Sequence, residues 1–206
     1  MTEEAAARPE RKGLPFIVEF PLLVLVALAV AIVIKTFLIQ AFWIPSSSMV
    51  PTLEVDDRVL VNKLEYRLGE PEPGDVVVFE SPYADDQVDE PFLEAFARSI
   101  VESLGIRTAT VPDDFIKRVI ATEGQEVAIV GNQVVVDGVA LDEPYLPAGV
   151  DMADMEPTTI GPDQLWVMGD NRNHSSDSRV FGPIPADEVV GRAFVVMWPL
   201  DRWSGL

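Results

Sequence analysis

The stretch Glu126-Val127-Ala128-Ile129-Val130-Gly131-Asn132-Gln133-Val134-Val135-Val136 sets two apolar, β-branched runs on either side of two turn residues. That arrangement predicts an antiparallel hairpin with strands Glu126–Val130 and Gln133–Val136. Asp137-Gly138 follows as a second turn. Outward from the hairpin, Phe115–Ala121 precedes it as another strand. Arg58–Leu64 alternates and is β-branched, and Asp75–Phe79 is an apolar run after the turn Pro73-Gly74. Leu165–Met168 and Ala193–Trp198 complete the set. No alternation of helices and strands suggests a parallel sheet, and there is no repeat or low-complexity tract. The expected class is mainly β. One segment departs from it: Asp89 is placed to cap a helix from about Pro91 to Leu104, ended by Gly105, with Phe92, Phe96, Ile100 and Leu104 on one face. Residues 81–114 therefore read as a helical insertion between strands, its apolar stripe packed on the sheet.

The N-terminus has a different character. From Phe20 to Ile34 no side chain is charged or hydrogen-bonding. Extended to Phe42, a helix starting at Pro21 would be about 33 Å long, enough to cross a bilayer core of about 30 Å. Pro21 suits a first helical turn, Lys35 can snorkel, and Phe42 and Trp43 stand where an interfacial belt is expected. A buried core helix would carry a polar stripe, and this segment is apolar all round. A cleaved signal peptide would be shorter, with small residues at its end. Here Ala27, Ala29 and Ala31 fall in mid-run. The expected organisation is a tail over 1–19, a retained transmembrane anchor over 20–43, and a domain over 44–206. Arg8, Arg11 and Lys12 precede the span, so the positive-inside rule puts the N-terminus in the cytoplasm and the domain outside.

The 206 residues carry a formal net charge of −19, and residues 1–45 sum to zero, so the domain holds all of it. That argues against nucleic acid as a partner and against a domain drawn flat onto anionic lipid. Without Cys there is no disulfide, no thiolate zinc site and no Cys nucleophile, and with His174 as the only imidazole there is no poly-His metal site. No cofactor or metal is expected. H-E-x-x-H, G-x-S-x-G, Walker and G-x-G-x-x-G patterns are missing, and no Asp lies in a D-[ST]-G context. Serine chemistry remains, and it needs a base.

Three segments bear on that chemistry. In Pro45-Ser46-Ser47-Ser48-Met49-Val50-Pro51-Thr52-Leu53, two prolines bracket three hydroxyls and exclude both helix and central strand. On composition alone a linker is the commoner reading, but apolar Met49, Val50 and Leu53 argue that the segment packs. In Phe115-Ile116-Lys117-Arg118-Val119, Lys117 shares a strand face with Phe115 and Val119. To act as a base near neutrality its amine must fall from about 10.4 toward 7, which burial supplies and exposure does not. A snorkelling edge-strand lysine is the plainer alternative. Gly169-Asp170-Asn171-Arg172-Asn173-His174-Ser175-Ser176-Asp177-Ser178-Arg179 is dense in hydrogen-bonding groups. Its His174, Ser175 and Asp177 invite a triad reading, but neighbours in one loop rarely meet in that geometry.

Together these segments resemble bacterial type I signal peptidase, a membrane-anchored serine protease with a Ser-Lys dyad. Its motif order is an anchor, P-S-x-S-M-x-P-T-L, G-D-V-V-V-F, K-R-V and G-D-N-R-x-x-S-x-D-S-R. Pro45–Leu53, Gly74–Phe79, Lys117–Val119 and Gly169–Arg179 stand in that order here. The resemblance implies an antiparallel, coiled β-sheet catalytic domain in the bacterial plasma membrane. It implies Ser48 as nucleophile, Lys117 as general base, and Ser46 beside the Ser48 N–H in an oxyanion hole. It implies that Ser175 orients the lysine amine, that Asp177 and Arg179 support the site, and that Arg118 and Asp170 form a structural ion pair. Phe42, Ile44, Met49 and Ile116 correspond to pockets for small side chains, suited to A-x-A cleavage sites. The implied partners are preprotein signal peptides, the lipid bilayer and the protein-export machinery. His174 falls in a variable pair and reads as incidental, and Val55-Asp56-Asp57 stands where the family often has Gly-Asp. A specialised Ser-Lys processing peptidase of a dedicated secretion or pilus system, and a non-catalytic anchored β-domain, are the rival readings.

Overall fold

A computed structural model describes residues 16–82 and 114–206. Helix α1 (Phe16–Phe37) leads into β1 (Ile39–Trp43), β2 (Arg58–Asn62), the single turn α2 (Glu65–Leu68) and β3 (Val76–Glu80). Then come β4 (Asp114–Thr122), β5 (Glu126–Val130), β6 (Gln133–Val136), β7 (Val139–Ala140), β8 (Met155–Thr159) and β9 (Gln164–Met168). A short 3-10 turn at Arg172–His174, α3 (Ser178–Phe181), β10 (Ile184–Pro185), β11 (Val189–Trp198) and β12 (Ser204–Gly205) finish the chain. Among the described residues the strands form two sheets. One runs β1-β2-β11-β3-β4-β9-β10, with β12 beside β11, and the other runs β7-β6-β5-β8. Every pairing is antiparallel.

The hairpin β5–β6 lies where its turn residues predict. Gly131 and Asn132 both take positive φ, at 56° and 70°, the conformation whose twist suits a two-residue hairpin. Asp137 and Gly138 repeat it between β6 and β7. β3 is apolar from Val76 to Phe79 because both its faces are covered there. Val76 and Val78 join a core with Ile44, Met49, Leu53, Val59, Val61 and Ile116. Val77 and Phe79 join another with Val119, Leu165, Val167 and Ile184. Register shifts in β11 and β4 bend the larger sheet into a curl. In a flat sheet the four strand spacings from β1 to β4 would separate them by about 19 Å. The curl, with the loop after β1 folded back over the sheet, closes that distance.

The 20–43 segment read as an anchor is not one continuous helix. Its helix starts at Phe16, so Pro21 lies inside the helix rather than in its first turn. It ends at Phe37, and Ile39–Trp43 is a strand paired residue for residue with Asn62–Arg58. The apolar run is continuous across that junction, but side-chain exposure then alternates along β1, the period-two pattern of a strand edge. Among the described residues no helix is long and apolar enough to cross a membrane; described side chains in α1 cover 19–31 only. β8, β10 and β12 were not expected from the sequence. Most of the 1–19 segment and nearly all of 81–114, including the helix expected at Pro91–Leu104, lie outside the described residues.

Candidate active site

Three motifs meet at one end of the curled sheet. Because β9 runs antiparallel to β4 with Met168 opposite Arg118, the residues after Met168 emerge beside Lys117. The loop from Ile44 to Asp57 is closed by Ile44 N–H donating to Asp57 O and Asp56 N–H donating to Ile44 O, both at 2.9 Å. Asp56 takes φ 75°, a left-handed conformation that Asp tolerates better than most residues. Asp57 is buried and held by the Arg202 guanidinium at 3.0 Å. Met49 and Leu53 are fully buried and pin the loop to the core, so it is no linker. Asn171 ties the two loops together. Its N–H donates to Ser48 O and its Nδ2 donates to Ser47 O, each at 3.0 Å.

Lys117 Nζ donates to Ser48 Oγ at 3.0 Å and to Ile116 O at 2.8 Å. Lys117 is 4% exposed and Ser48 8%. The amine lies 5.2 Å from the Phe115 ring centre, as expected of neighbours on one strand face. Burial pushes the Lys117 amine down to about 8, against the pull of the Asp177 and Asp170 carboxylates, which favour the ammonium. A hydroxyl touching an amine that loses its proton this easily has the geometry that a nucleophile and its base require. Ser46 Oγ lies 3.3 Å from Ser48 Oγ.

Around the pair stands a shell of ion pairs. Arg118 clasps Asp170 through Nε at 2.9 Å and Nη2 at 2.7 Å, and Thr52 Oγ1 donates to the same carboxylate at 2.6 Å. Asp177 is fully buried and accepts from Gly169 N–H at 3.0 Å and from Arg179 Nε and Nη2, each at 2.8 Å. Burial alone would raise the Asp177 carboxyl, but Arg179 and the Gly169 N–H outweigh it and hold the group below the usual range. Gly169 is required by close approach. A Cβ there would meet Ser48 O at 2.5 Å and Ser175 Cβ at 2.6 Å, and would overlap Ser175 Oγ.

The remaining site residues divide. Phe42, Ile44 and Ile116 line a cavity of about 420 Å³ together with Ser46, Ser48 and Lys117. Met49 does not: it faces the core beneath the loop. Ser175 is also corrected. Its Oγ does not reach the lysine amine, whose bonds go to Ser48 and Ile116. It sits close enough to Asp177 to help hold that carboxyl down, but it is buried without a well-aligned hydrogen bond. No Ser-His-Asp triad forms, because His174 Nδ1 meets Asn171 Oδ1 at 3.2 Å and Asp177 is taken by Arg179.

Sequence reasoning missed Glu143 and Tyr145. Glu143 clasps the buried Arg172 at 2.6 and 3.0 Å, and Arg172 Nε in turn donates to Gly169 O. The Tyr145 ring lies 4.0 Å from the Arg118 guanidinium. Nothing in Glu143-Pro144-Tyr145 marks it as part of a site, since its partners lie near positions 118 and 172.

The family described as signal peptidase, peptidase S26, matches residues 17–198. A probable signal peptidase I-2 from Synechocystis is 39% identical over 85% of this chain and 71% of its own length. The signal peptidase I of Mycobacterium tuberculosis is 37% identical over 90% of this chain and 74% of its own. A solved signal peptidase I from Enterococcus faecalis V583 aligns at 21% identity over 60% of this chain and 97% of that one. Its TM-score is 0.43, too low to carry an inference. On this match and these relatives, the chain belongs to the signal peptidase family, peptidase S26, and its activity is that of a signal peptidase I, a serine endopeptidase.

Proposed function

We propose that the chain removes N-terminal signal peptides after small residues, with Ser48 as nucleophile and Lys117 as a neutral general base, while anchored in a membrane. The observation that carries this reading is the 3.0 Å hydrogen bond between Lys117 Nζ and Ser48 Oγ in a setting from which solvent is nearly excluded.

Ser48 Oγ attacks the scissile carbonyl carbon and its proton passes to Lys117 Nζ. The Ser48 N–H and the Ser46 hydroxyl stabilise the oxyanion, each such donor contributing about 3–4 kcal/mol. The C–N bond breaks as the lysine ammonium protonates the leaving amine, which leaves an ester on Ser48. Water then gives a proton to the neutral amine and attacks the ester. That proton returns to Ser48 Oγ as the acid departs. Arg118 and Asp170 form a pair with each other, so that carboxylate's pull on the lysine proton is offset. Small residues fit because Phe42, Ile44 and Ile116 wall the cavity beside the pair.

Anchoring is supported by α1. Its 22 residues make a rod of about 33 Å. Leu22, Leu23, Leu25, Leu28 and Val30 are each about half exposed or more, so no protein core covers them. Hydrocarbon would cover them, with Arg8, Arg11 and Lys12 on the cytoplasmic side. Ser48 is eleven residues past Phe37, where α1 ends, at most about 37 Å along the chain, so the cut falls outside the bilayer.

The test is cleavage of a preprotein with an A-x-A site by the full chain in detergent or lipid. Wild type is expected to release the signal peptide. Ser48→Ala and Lys117→Ala, still folded by thermal unfolding, are expected to release none. Cleavage by either variant at the wild-type rate rejects the pair.

A further inference from the structure

His174, the chain's only histidine, lines the same cavity as Ser48 and Lys117. It is exposed, yet its ring is tethered. Its backbone N–H donates to Asn171 O at 2.9 Å, and its Nδ1 lies 3.2 Å from Asn171 Oδ1. Asn171 is itself fixed, since its N–H and Nδ2 both donate to the backbone carbonyls of Ser48 and Ser47. That decides the tautomer. With Nδ2 spent on Ser47 O, the amide presents its oxygen to the ring, and an oxygen accepts only. Nδ1 must therefore carry the proton. In the neutral ring Nε2 then carries the lone pair, and no partner occupies Nε2 among the described residues.

An acceptor held on the nucleophile's own backbone, at the wall of the cavity that takes the substrate, is placed to read the substrate. We propose that His174 is a specificity-determining residue: Nε2 accepts a hydrogen bond from a substrate side chain beside the scissile bond. It thereby favours a donor-bearing residue there (a hydroxyl or a carboxamide) over an apolar one of like size. This rests on the reading of Ser48 and Lys117 as the reacting pair. It adds a polar preference to the small-residue preference of the apolar pockets. Outside the Ser46–Ser48 loop and Lys117, the other polar side chains that line the cavity are Gln40, Asp114, Ser176 and the Trp43 indole, and a preference due to them would survive removal of the imidazole.

The experiment uses the full chain in detergent at about pH 9, where Lys117 is neutral. The substrates are preprotein peptides in which each residue flanking the cleavage site is varied in matched pairs, Ser against Ala and Gln against Met. The readout is the ratio of kcat/KM within each pair, so a general loss of activity in a variant cancels. Wild type is expected to favour the donor by about threefold to tenfold at one position, the range of a single net hydrogen bond partly open to water. In His174→Phe and His174→Ala that ratio is expected to fall to about one. A donor preference unchanged in both variants, or no preference at any position in wild type, overturns the proposal. Ser48→Ala assayed alongside keeps the two readings apart. An inactive Ser48→Ala with ratios that ignore His174 sinks this inference alone, whereas an active Ser48→Ala sinks the reacting pair.

Discussion

Lys117 and Ser48, 69 residues apart in sequence, are joined by one hydrogen bond of 3.0 Å. The lysine's ladder partner is Val77 and its ring neighbour is Phe115, so its surroundings are apolar on the strand that carries it. Desolvation therefore dominates, and the amine is held at about 8 although two carboxylates pull the other way.

The first consequence is a pH profile. The base form is the neutral amine, so kcat/KM should rise tenfold per pH unit on the acid side and level off above about 8. A rate measurement across mildly acidic to alkaline pH checks this. A rising limb centred two units higher would mean that the lysine is solvated.

Stability carries the same signature with a definite sign. The folded amine titrates at about 8 and the unfolded one at 10.5, so below pH 8 the unfolded state holds its proton more readily and the lysine destabilises the fold. Replacing it with an uncharged chain of similar length removes that cost. Lys117→Met is expected to be inactive yet more stable than wild type below pH 8, by up to about 3 kcal/mol, which is the 2.5-unit difference at 1.36 kcal/mol per unit. The gain should shrink through the window from 8 to 10.5 and vanish above it. Thermal unfolding of both proteins over that range is the check.

Gly169 tests the packing of the two loops. Its φ is not unusual, so the demand is for space alone: a Cβ falls 2.5 Å from Ser48 O and 2.6 Å from Ser175 Cβ. Gly169→Ala must displace the nucleophile's carbonyl or the serine. A loss of about 1–3 kcal/mol in stability and about 10²-fold in kcat is expected, read by unfolding and by steady-state kinetics.

Ser46 should behave differently from Ser48. Its hydroxyl is exposed and 3.3 Å from Ser48 Oγ, so in the proposed mechanism removing it subtracts one oxyanion donor and leaves the base in place. Ser46→Ala is expected to lower kcat about 10²-fold to 10³-fold with KM nearly unchanged. An unaltered kcat would remove the side-chain donor from the account.

What the sequence disclosed follows from where each signal is local. The hairpin over 126–136 was legible because Gly131-Asn132 states its own geometry. β1 was not, because Ile39–Trp43 continues an apolar run, and apolar content alone does not separate the end of a helix from the strand that follows. β8 was hidden by Pro157 and by an exposed face, both of which speak against a strand in isolation. At the site, Ser48 and Lys117 stood out through their motifs. Met49 was misplaced because a residue next to a nucleophile has as much reason to face the core as the pocket. Glu143 and Tyr145 were silent because their partners, Arg172 and Arg118, come to them only through the fold. His174 looked incidental because the bond that orients it, to Asn171, depends on where Asn171 is pinned.

The central claim is that a buried amine on β4 is uncharged when it meets Ser48. Following the Lys117 side chain by 13C NMR at Cε through a pH titration of the full chain in detergent tests it most directly. The account predicts a single transition with its midpoint near 8. A midpoint at or above 10.5, the value of a solvated lysine, would contradict it.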